Sequence, residues 1–82
     1  MISELASSNK VVGVKQSGKA VREGRAVKVF LASDADPAVT GLIEEECAGR
    51  GIPVERGNTM AQLGKACRIT VGAAVAAVLK EQ

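Results

Sequence analysis

Apolar residues recur along the first third of the chain at spacings that change between helix and strand. Residues 2–6 have helical spacing and predict a short first helix, followed by a turn at 7–9. Residues 10–14 are largely apolar and predict the first strand. Helical spacing returns over 15–23, and Gly24 follows as the left-handed residue at which such a helix can end. This part of the chain therefore predicts helix, strand and helix in succession.

The middle of the chain predicts a strand followed by a capped helix. Residues 26–32 are β-branched and largely apolar, which is typical of a central strand. Asp36 is a predicted N-cap, and Pro37 a predicted first helical residue, where its missing N–H has no consequence. The helix is predicted to end at 50–51 and to expose its three glutamates at 44–46. Its predicted buried face consists of four residues: Val39, Leu42, Ile43 and Cys47.

The last third predicts a strand, a short helix and a final strand. Residues 53–56 form the third predicted strand, with proline at the first position, where strands tolerate it. Thr59 and Gln62 fit a capping box, so a fourth helix is predicted from there to about Cys67. The apolar run 71–79 suits either a helix or a buried strand. We interpret it as a strand, because three earlier strands alternate with helices. The predicted fold class is α/β.

Composition limits the chain to one small domain, spanning residues 1–82. Hydrophobic residues make up 46% of the 82, which is ordinary for a globular chain, and Phe30 is the single aromatic residue. No stretch is long and apolar enough to span a bilayer, and Glu4 stands where a signal peptide would carry positive charge. We therefore expect a soluble protein in the cytoplasm.

The absence of histidine narrows the chemistry further. Without histidine and without a CxxC pair, histidine-dependent catalysis and zinc sites of the usual kind are excluded. Cys47 and Cys67 are predicted to be small reduced residues of the core, since a disulfide is unusual inside a cell. We expect no enzyme activity, no cofactor and no metal.

Positive charge is concentrated in the first and last thirds of the chain. Residues 1–28 contain six basic and two acidic residues, residues 29–50 contain one and five, and residues 51–82 contain four and two. The net charge of +2 is too small to identify a partner by itself. If the two basic thirds share a face, that face could bind a polyanion.

One stretch combines glycines and lysines at a predicted strand-to-helix turn. Gly13, Gly18 and Lys19 satisfy the G-x-x-x-x-G-K pattern of nucleotide phosphate loops, and a helix start beside lysines favours anions. Position 20 is alanine, however, so the hydroxyl that would bind Mg²⁺ is missing, and the chain is shorter than such enzymes. RNA binding by stacked aromatic side chains is also excluded, since it needs more than one aromatic residue.

Four short motifs follow one another along the chain. They are Gly13-Val14-Lys15-Gln16-Ser17-Gly18-Lys19-Ala20, Asp34-Ala35-Asp36-Pro37, Leu63-Gly64-Lys65-Ala66-Cys67 and Ile69-Thr70-Val71-Gly72. In content, order and spacing they resemble the ribosomal protein L7Ae family, and most closely its short bacterial members. The resemblance covers nearly the whole chain. It implies a three-layer α/β/α sandwich around a four-stranded mixed sheet.

The resemblance also implies a partner. Proteins of this family bind kink-turns, which are RNA duplexes sharply bent at a bulge next to tandem sheared G·A pairs. The helix after the first strand enters the major groove beside those pairs, because the bend widens a groove that ordinary A-form RNA keeps narrow. The expected protein is thus ribosomal or ribosome-associated, monomeric, and without a small-molecule substrate or a membrane partner.

Carried onto this sequence, the family's RNA contacts correspond to nine residues: Gly13, Lys15, Gln16, Lys19, Asp36, Lys65, Ile69, Thr70 and Val71. Gly13 would let the backbone approach the RNA closely. The polar side chains at 15, 16 and 19 would meet guanine edges, and a good base contact of this kind is worth roughly 1–3 kcal/mol. Many relatives have Asn-Glu at 15–16, so this chain exchanges a charged acceptor for a neutral one and adds a positive charge.

Several of these positions have an ordinary structural alternative. Asp36 would contact a flipped-out bulge nucleotide, or only cap its helix, or do both. Residues 69–71 would pack on bulged bases, or simply lead into the last strand. Lys65 and Arg22 would contact phosphates, or remain ordinary solvated charges.

Two other functions stay open at this point. One is a protein–protein interaction module of the same fold without specific RNA binding, for which the substitution at 15–16 and the modest net charge leave room. The other is a nucleotide hydrolase, which the missing Mg²⁺ ligand and the short chain oppose.

Overall fold

A computed structural model describes residues 2–7 and 9–80 of the chain, so Ser8 of the predicted turn lies outside the described residues. Helices and strands alternate along most of it. Their order is α1 (Glu4–Ser7), β1 (Lys10–Val12), α2 (Val14–Arg22), β2 (Ala26–Ala32), α3 (Pro37–Arg50), β3 (Val54–Asn58), α4 (Met60–Ala66) and β4 (Val75–Leu79).

The four strands form one mixed sheet in the order β1-β4-β2-β3. β4 pairs antiparallel with β1 on one side and with β2 on the other, whereas β2 and β3 are parallel. β1, β2 and β3 therefore run in one direction and β4 runs in the opposite direction. The interpretation of the last apolar run as a strand is confirmed, as is the central position of β2.

Two helices cover each face of the sheet, which confirms the expected α/β/α sandwich. On one face, Val21 of α2 and Ile43 of α3 pack against Val29 and Leu31 of β2. On the other face, Phe30 and its neighbours pack against α1 and α4, mainly Leu5 and Leu63. Because successive strand residues point to opposite faces, β2 contributes to both cores and is buried along most of its length.

The predicted helix caps are present. The Asp36 carboxylate accepts a hydrogen bond from the N–H of Ala38 at 2.9 Å. Thr59 and Gln62 form the reciprocal capping box at the start of α4. Gly24 and Gly51 follow α2 and α3 with φ of 72° and 67°, as the left-handed residues at which these helices end.

Four predicted boundaries are wrong because glycines and loop packing override the local pattern of apolar residues. β1 ends at Val12 and α2 starts at Val14, since the chain turns sharply at Gly13. β3 continues to Asn58 because Gly57, with φ 98°, forms a bulge rather than ending the strand. β4 begins at Val75 and not at 71, because the preceding residues lie along α4.

The buried face predicted for α3 is wrong at one residue, and two of its three glutamates are exposed only in part. Leu42 is 62% exposed, because α3 faces its neighbours along the single stripe that contains Ile43 and Cys47. Of the three glutamates expected in water, Glu44 pairs with Arg56 of β3 and Glu46 pairs with Arg22 of α2. α3 thus presents its acidic side to basic side chains from the first and last thirds of the chain.

Both cysteines are buried and free, as predicted for core residues. Cys47 belongs to the core on the α2–α3 face and Cys67 to the core on the α1–α4 face. Burial raises the pKa of each thiol above its ordinary value, which opposes thiolate formation. Within the described residues, no helix is long and apolar enough to cross a membrane.

A cluster of one lysine and two glutamates connects α1 to the sheet through ion pairs. Lys28 of β2 places Nζ 2.8 Å from Oε1 of Glu4 and 2.9 Å from Oε1 of Glu55. The same ammonium lies 5.1 Å from the centre of the Phe30 ring, within cation–π range. The hydrogen bond from Lys28 lowers the pKa of Glu4 from 4.5 to about 2, and it also lowers the pKa of Glu55. The two carboxylates in turn raise the pKa of Lys28.

This cluster predicts a loss of stability in acid. Because the pKa of Glu4 is lower in the folded chain than its ordinary value of 4.5, its carboxylate stabilises the fold above pH 4.5. That stabilisation is lost as the pH falls through about 2. In Lys28→Gln the main cause of the shift is gone, so we expect a flatter decline of unfolding free energy below pH 4.5 than in the wild type. Urea denaturation at several acidic pH values measures this; identical declines in the two proteins would contradict it.

A second stability prediction concerns Ser17 on the inner side of α2. Its side chain is fully buried, and its Oγ has no hydrogen-bond partner among the described residues. An unsatisfied buried hydroxyl costs roughly 1–3 kcal/mol, and alanine favours helix more than serine does. We therefore expect Ser17→Ala to raise the free energy of unfolding by about 1 kcal/mol. Ser33→Ala, at an exposed serine, is the control and should have little effect; a destabilised Ser17→Ala would show that the hydroxyl is satisfied.

Candidate nucleic-acid interface

One end of the sheet collects four loops. The parallel strands β1, β2 and β3 all finish there, and the antiparallel strand β4 begins there, as the pairing of Val12 with Ala76 and of Ala32 with Asn58 shows. We call this the loop end of the sheet. α2, α3 and α4 each start from it, and the segment 67–74 enters β4 at it. Sequence motifs that are far apart along the chain therefore meet here.

Gly13 sets the start of α2. Its φ of 101° and ψ of 156° lie in a region that is essentially restricted to glycine. Its N–H donates to the carbonyl of Val75 at 2.8 Å, which joins the start of α2 to the start of β4. Its carbonyl accepts from the N–H of Ser17, so the first helical N–H groups, from Val14 to Gln16, have no acceptor within the helix.

α2 differs from the two other helices that start at the loop end. Asp36 caps α3, and Thr59 with Gln62 caps α4, whose first residue Met60 also donates its N–H to Asp34 Oδ1 at 2.8 Å. No side chain caps α2. The partial positive charge and the free donors at its start are therefore available to an anion.

Three predicted contact residues lie on the exposed side of this helix. Lys15, Gln16 and Lys19 are all exposed, whereas Ser17 and Gly18 between them are buried. Lys15 and Lys19 are four residues apart, so they share one side of the helix. Two positive charges and one amide are thus presented together beside the uncapped start.

The G-x-x-x-x-G-K pattern has a structural explanation that involves no nucleotide. Gly18 and Lys19 lie in the middle of α2 and not in a loop around a phosphate. A Cβ on Gly18 would lie 3.0 Å from Cδ1 of Ile43 and 3.1 Å from Nη1 of Arg22. Glycine at this position lets α2 and α3 approach each other closely.

The segment 67–74 carries exposed apolar side chains and leads into β4 at the loop end. It runs back along α4, from the N–H of Ile69 donating to Gly64 to the N–H of Ala73 donating to Met60, both at 3.0 Å. Ile69 is 37% exposed and Val71 is 69% exposed, and Thr70 is also exposed. These residues form a loop that precedes β4, so the predicted start of the last strand at 71 is wrong, while the alternative in which they lead into the strand stays open.

The remaining candidates take different positions. Asp36 is exposed at the loop end, and its Oδ1 accepts the N-cap hydrogen bond, so its structural role is confirmed. Its other carboxylate oxygen makes no hydrogen bond with any described residue. Lys65 is exposed in the last turn of α4, away from the start of α2. Arg22 is held by Glu46, with Nη1 at 3.0 and 3.1 Å from the two carboxylate oxygens.

Ion pairing divides the basic residues into two groups. Five of them contact acidic groups or a carbonyl within the protein: Arg22, Arg25, Lys28, Arg50 and Arg56. The other six make no ion pair or side-chain hydrogen bond with any described residue: Lys10, Lys15, Lys19, Lys65, Arg68 and Lys80. Lys10 and Lys80 lie at the opposite end of the sheet from the loop end. The remaining four are exposed, on α2 or around the end of α4.

The arrangement was compared with known proteins. The family model described as the ribosomal protein L7Ae/L30e/S12e/Gadd45 family matches residues 3–82. The chain belongs to this family. It is 41% identical over 76 residues to an RNA-binding protein of Geobacillus sp. (strain WCH70) and, over the same length, 41% identical to one of Caldanaerobacter subterraneus subsp. tengcongensis. Each alignment covers 93% of both chains.

A solved structure has the same fold. The Giardia lamblia 15.5kD RNA binding protein superposes with a TM-score of 0.86 at 28% identity, covering 99% of this chain and 69% of that one. The resemblance drawn from the four sequence motifs is therefore confirmed at the level of family and fold.

Two features of the site escaped the sequence analysis. Asp34 links the loop after β2 to α4 through Met60, a contact between residues 26 positions apart that no local pattern signals. Arg68 has φ of 62°, a left-handed conformation that costs a residue with a side chain roughly 1–2 kcal/mol. The signal for Arg68 was present in the sequence, because the two earlier helices end at glycines and α4 does not.

The loop's position on α4 predicts a strong effect of one methyl group. A Cβ on Gly64 would lie 2.2 Å from the carbonyl oxygen of Val71 and 3.1 Å from Cα of Gly72. Gly64→Ala must therefore displace the loop or the helix, and we expect it to lower the free energy of unfolding by about 1–3 kcal/mol.

The matched control for this substitution is Gly49→Ala on α3. Gly49 is exposed, and a Cβ there would meet nothing within 4 Å. Alanine in a helix is favoured over glycine by roughly 0.5–1 kcal/mol, so this variant should be more stable than the wild type. Urea denaturation of the two variants should give changes of opposite sign, and equal changes would contradict the close contact.

Proposed function

We propose that this protein binds structured RNA and stabilises the bent form of kink-turns, as a ribosomal or ribosome-associated component without catalytic activity. The observation that carries the proposal is that the two segments bearing its surfaces are joined at the loop end of the sheet, by the hydrogen bond from the Gly13 N–H to the Val75 carbonyl. One is the uncapped start of α2 with exposed Lys15, Gln16 and Lys19. The other is the exposed apolar loop at Ile69–Thr70–Val71.

The polar surface suits the edges of guanines and the nearby backbone. Lysine ammonium groups at 15 and 19 can donate to guanine O6 and N7, and the Gln16 amide oxygen can accept from a guanine N1 or N2 group. The free N–H groups at the start of α2, together with the helix dipole, favour a phosphate beside those bases. A helix can reach these edges only where bending has opened the major groove.

The apolar surface suits bases that have left the duplex. Ile69 and Val71 expose aliphatic side chains that are otherwise unusual in a small loop, and unstacked bases present apolar faces of matching character. Asp36, at the same end of the sheet, has a carboxylate oxygen available to a flipped-out nucleotide while its other oxygen caps α3. Lys65 adds positive charge for a phosphate farther along α4.

The mechanism is a shift between conformations of the RNA. An unbound kink-turn exchanges between extended and bent forms, and only the bent form places the G·A major groove and the bulged bases where both surfaces meet them at once. Binding then favours the bent form by the difference in affinity for the two. Family membership and the RNA-binding relatives support the partner class.

The proposal predicts discrimination between two RNAs. A fluorescence resonance energy transfer titration should show bending of a kink-turn duplex by the wild-type protein. It should show far weaker binding to a duplex in which Watson–Crick pairs replace the tandem G·A pairs. Lys19→Ala should weaken kink-turn binding roughly tenfold and reduce the slope of log affinity against log salt by about one unit.

The control is Lys80→Ala. Lys80 is exposed just beyond the far end of β4, and its N–H donates to Arg25 at the opposite end of the sheet from the proposed surface. This variant should bind as the wild type does. Equal affinity of the wild type for both RNAs would remove kink-turn recognition and leave general affinity for polyanions. Absence of binding to either would favour a protein–protein module.

A further inference from the structure

The helices α2, α3 and α4 end with the same backbone motif, which includes one residue in the left-handed conformation. That residue is a glycine after two of the helices and an arginine after the third. After α2 and α3, the left-handed position is occupied by Gly24 and Gly51. After α4 it is occupied by Arg68, whose N–H donates to Lys65, while the next N–H donates to Gly64, each at 3.0 Å. These two bonds are the Schellman pattern, in which glycine is the usual left-handed residue.

Arg68 is the one non-glycine residue with positive φ in the described part of the chain. A glycine there would make the same two backbone bonds without the steric conflict between Cβ and the backbone. Strain of this kind concentrates where a side chain is needed for function. The left-handed backbone at Arg68 therefore points to a function of its guanidinium group.

The Arg68 guanidinium makes no hydrogen bond or ion pair with any described residue. The other four arginines each bond to a protein partner: Arg22 and Arg50 to Glu46, Arg25 to Glu23, and Arg56 to Glu44. Arg68 itself is exposed. It is thus the arginine whose charge and five donors remain available to a ligand.

Its position continues the proposed RNA surface. Arg68 directly precedes Ile69, and Lys65, one turn back on α4, is exposed beside it. An RNA strand whose bulged bases pack on 69–71 would carry its backbone past this corner. Guanidinium groups match the geometry of phosphate oxygens and form paired, charge-assisted hydrogen bonds with them.

We propose that Arg68 is a phosphate-binding residue for the RNA strand that leaves the apolar loop, and that this contact maintains its left-handed backbone conformation against the preference for glycine. The inference rests on the proposed RNA function and adds a residue to it. Because phosphate contacts position RNA without reading its sequence, Arg68 should contribute to affinity and leave discrimination between RNAs unchanged.

The decisive variants separate the side chain from the backbone. Arg68→Gln keeps a Cβ and removes the charge, so it should weaken kink-turn binding roughly tenfold and lower the salt slope by about one unit, with little change in Tm. Arg68→Gly removes both the charge and the steric conflict between Cβ and the backbone. It should weaken binding as much as Arg68→Gln does and raise Tm by roughly 4–8 °C. Arg68→Lys should retain the wild-type salt slope.

Arg50→Gln is the matched control, since Arg50 lies at the far end of α3 and should not affect binding. If the wild type discriminates between the kink-turn and the G·A-replaced duplex but Arg68→Gln binds like the wild type, the role of Arg68 is overturned and the proposed function stands. If the wild type does not discriminate and Arg68→Gln still lowers affinity and salt slope, the phosphate contact stands and kink-turn recognition is overturned. If the wild type binds neither RNA, both are overturned.

Discussion

The pairing of β4 between β1 and β2 is the constraint on which the rest of this structure depends. Because β4 runs against both neighbours, the last strand of the chain begins where the others finish. The segment that enters β4 is thereby placed beside the helix that leaves β1, and the bond from Gly13 to Val75 joins them directly. A parallel final strand would have delivered that segment to the opposite end of the sheet.

Ion pairs along α3 determine where positive charge remains on the surface. α3 lies between α2 and β3 with its glutamates facing both, so Glu46 and Glu44 neutralise Arg22 and Arg56 on either side. Those pairs are exposed and contribute little stability individually. Their effect is to limit the uncompensated positive charge of this small protein to a few places, of which the surroundings of α2 and α4 are the largest group. A net charge of +2 therefore underestimates the local field there.

Much of the fold could be predicted from the sequence, because helix caps and the patterns of apolar residues in helices and strands depend on only a few neighbouring residues. Asp36 and Thr59 could be identified as caps from their immediate neighbours, and the strand β2 from its composition alone. Features that depend on distant packing were not predictable. Leu42 is exposed because α3 packs through Ile43 and Cys47, and β3 continues past its predicted end because Gly57 lies at a bulge within it. The candidate site residues were found through motifs, but the convergence of α2, α3 and the segment that enters β4 at one end of the sheet depended on the strand order.

The two buried cysteines have a consequence that follows from the layered fold. Cys47 and Cys67 belong to separate cores, and the sheet lies between them. They cannot form a disulfide with each other while the sheet is intact, so oxidation of the folded monomer cannot crosslink it internally. Each thiol becomes reactive only when its own face of the sheet opens. A thiol-specific reagent therefore labels Cys47 when the α2–α3 layer opens and Cys67 when the α1–α4 layer opens, without any introduced probe.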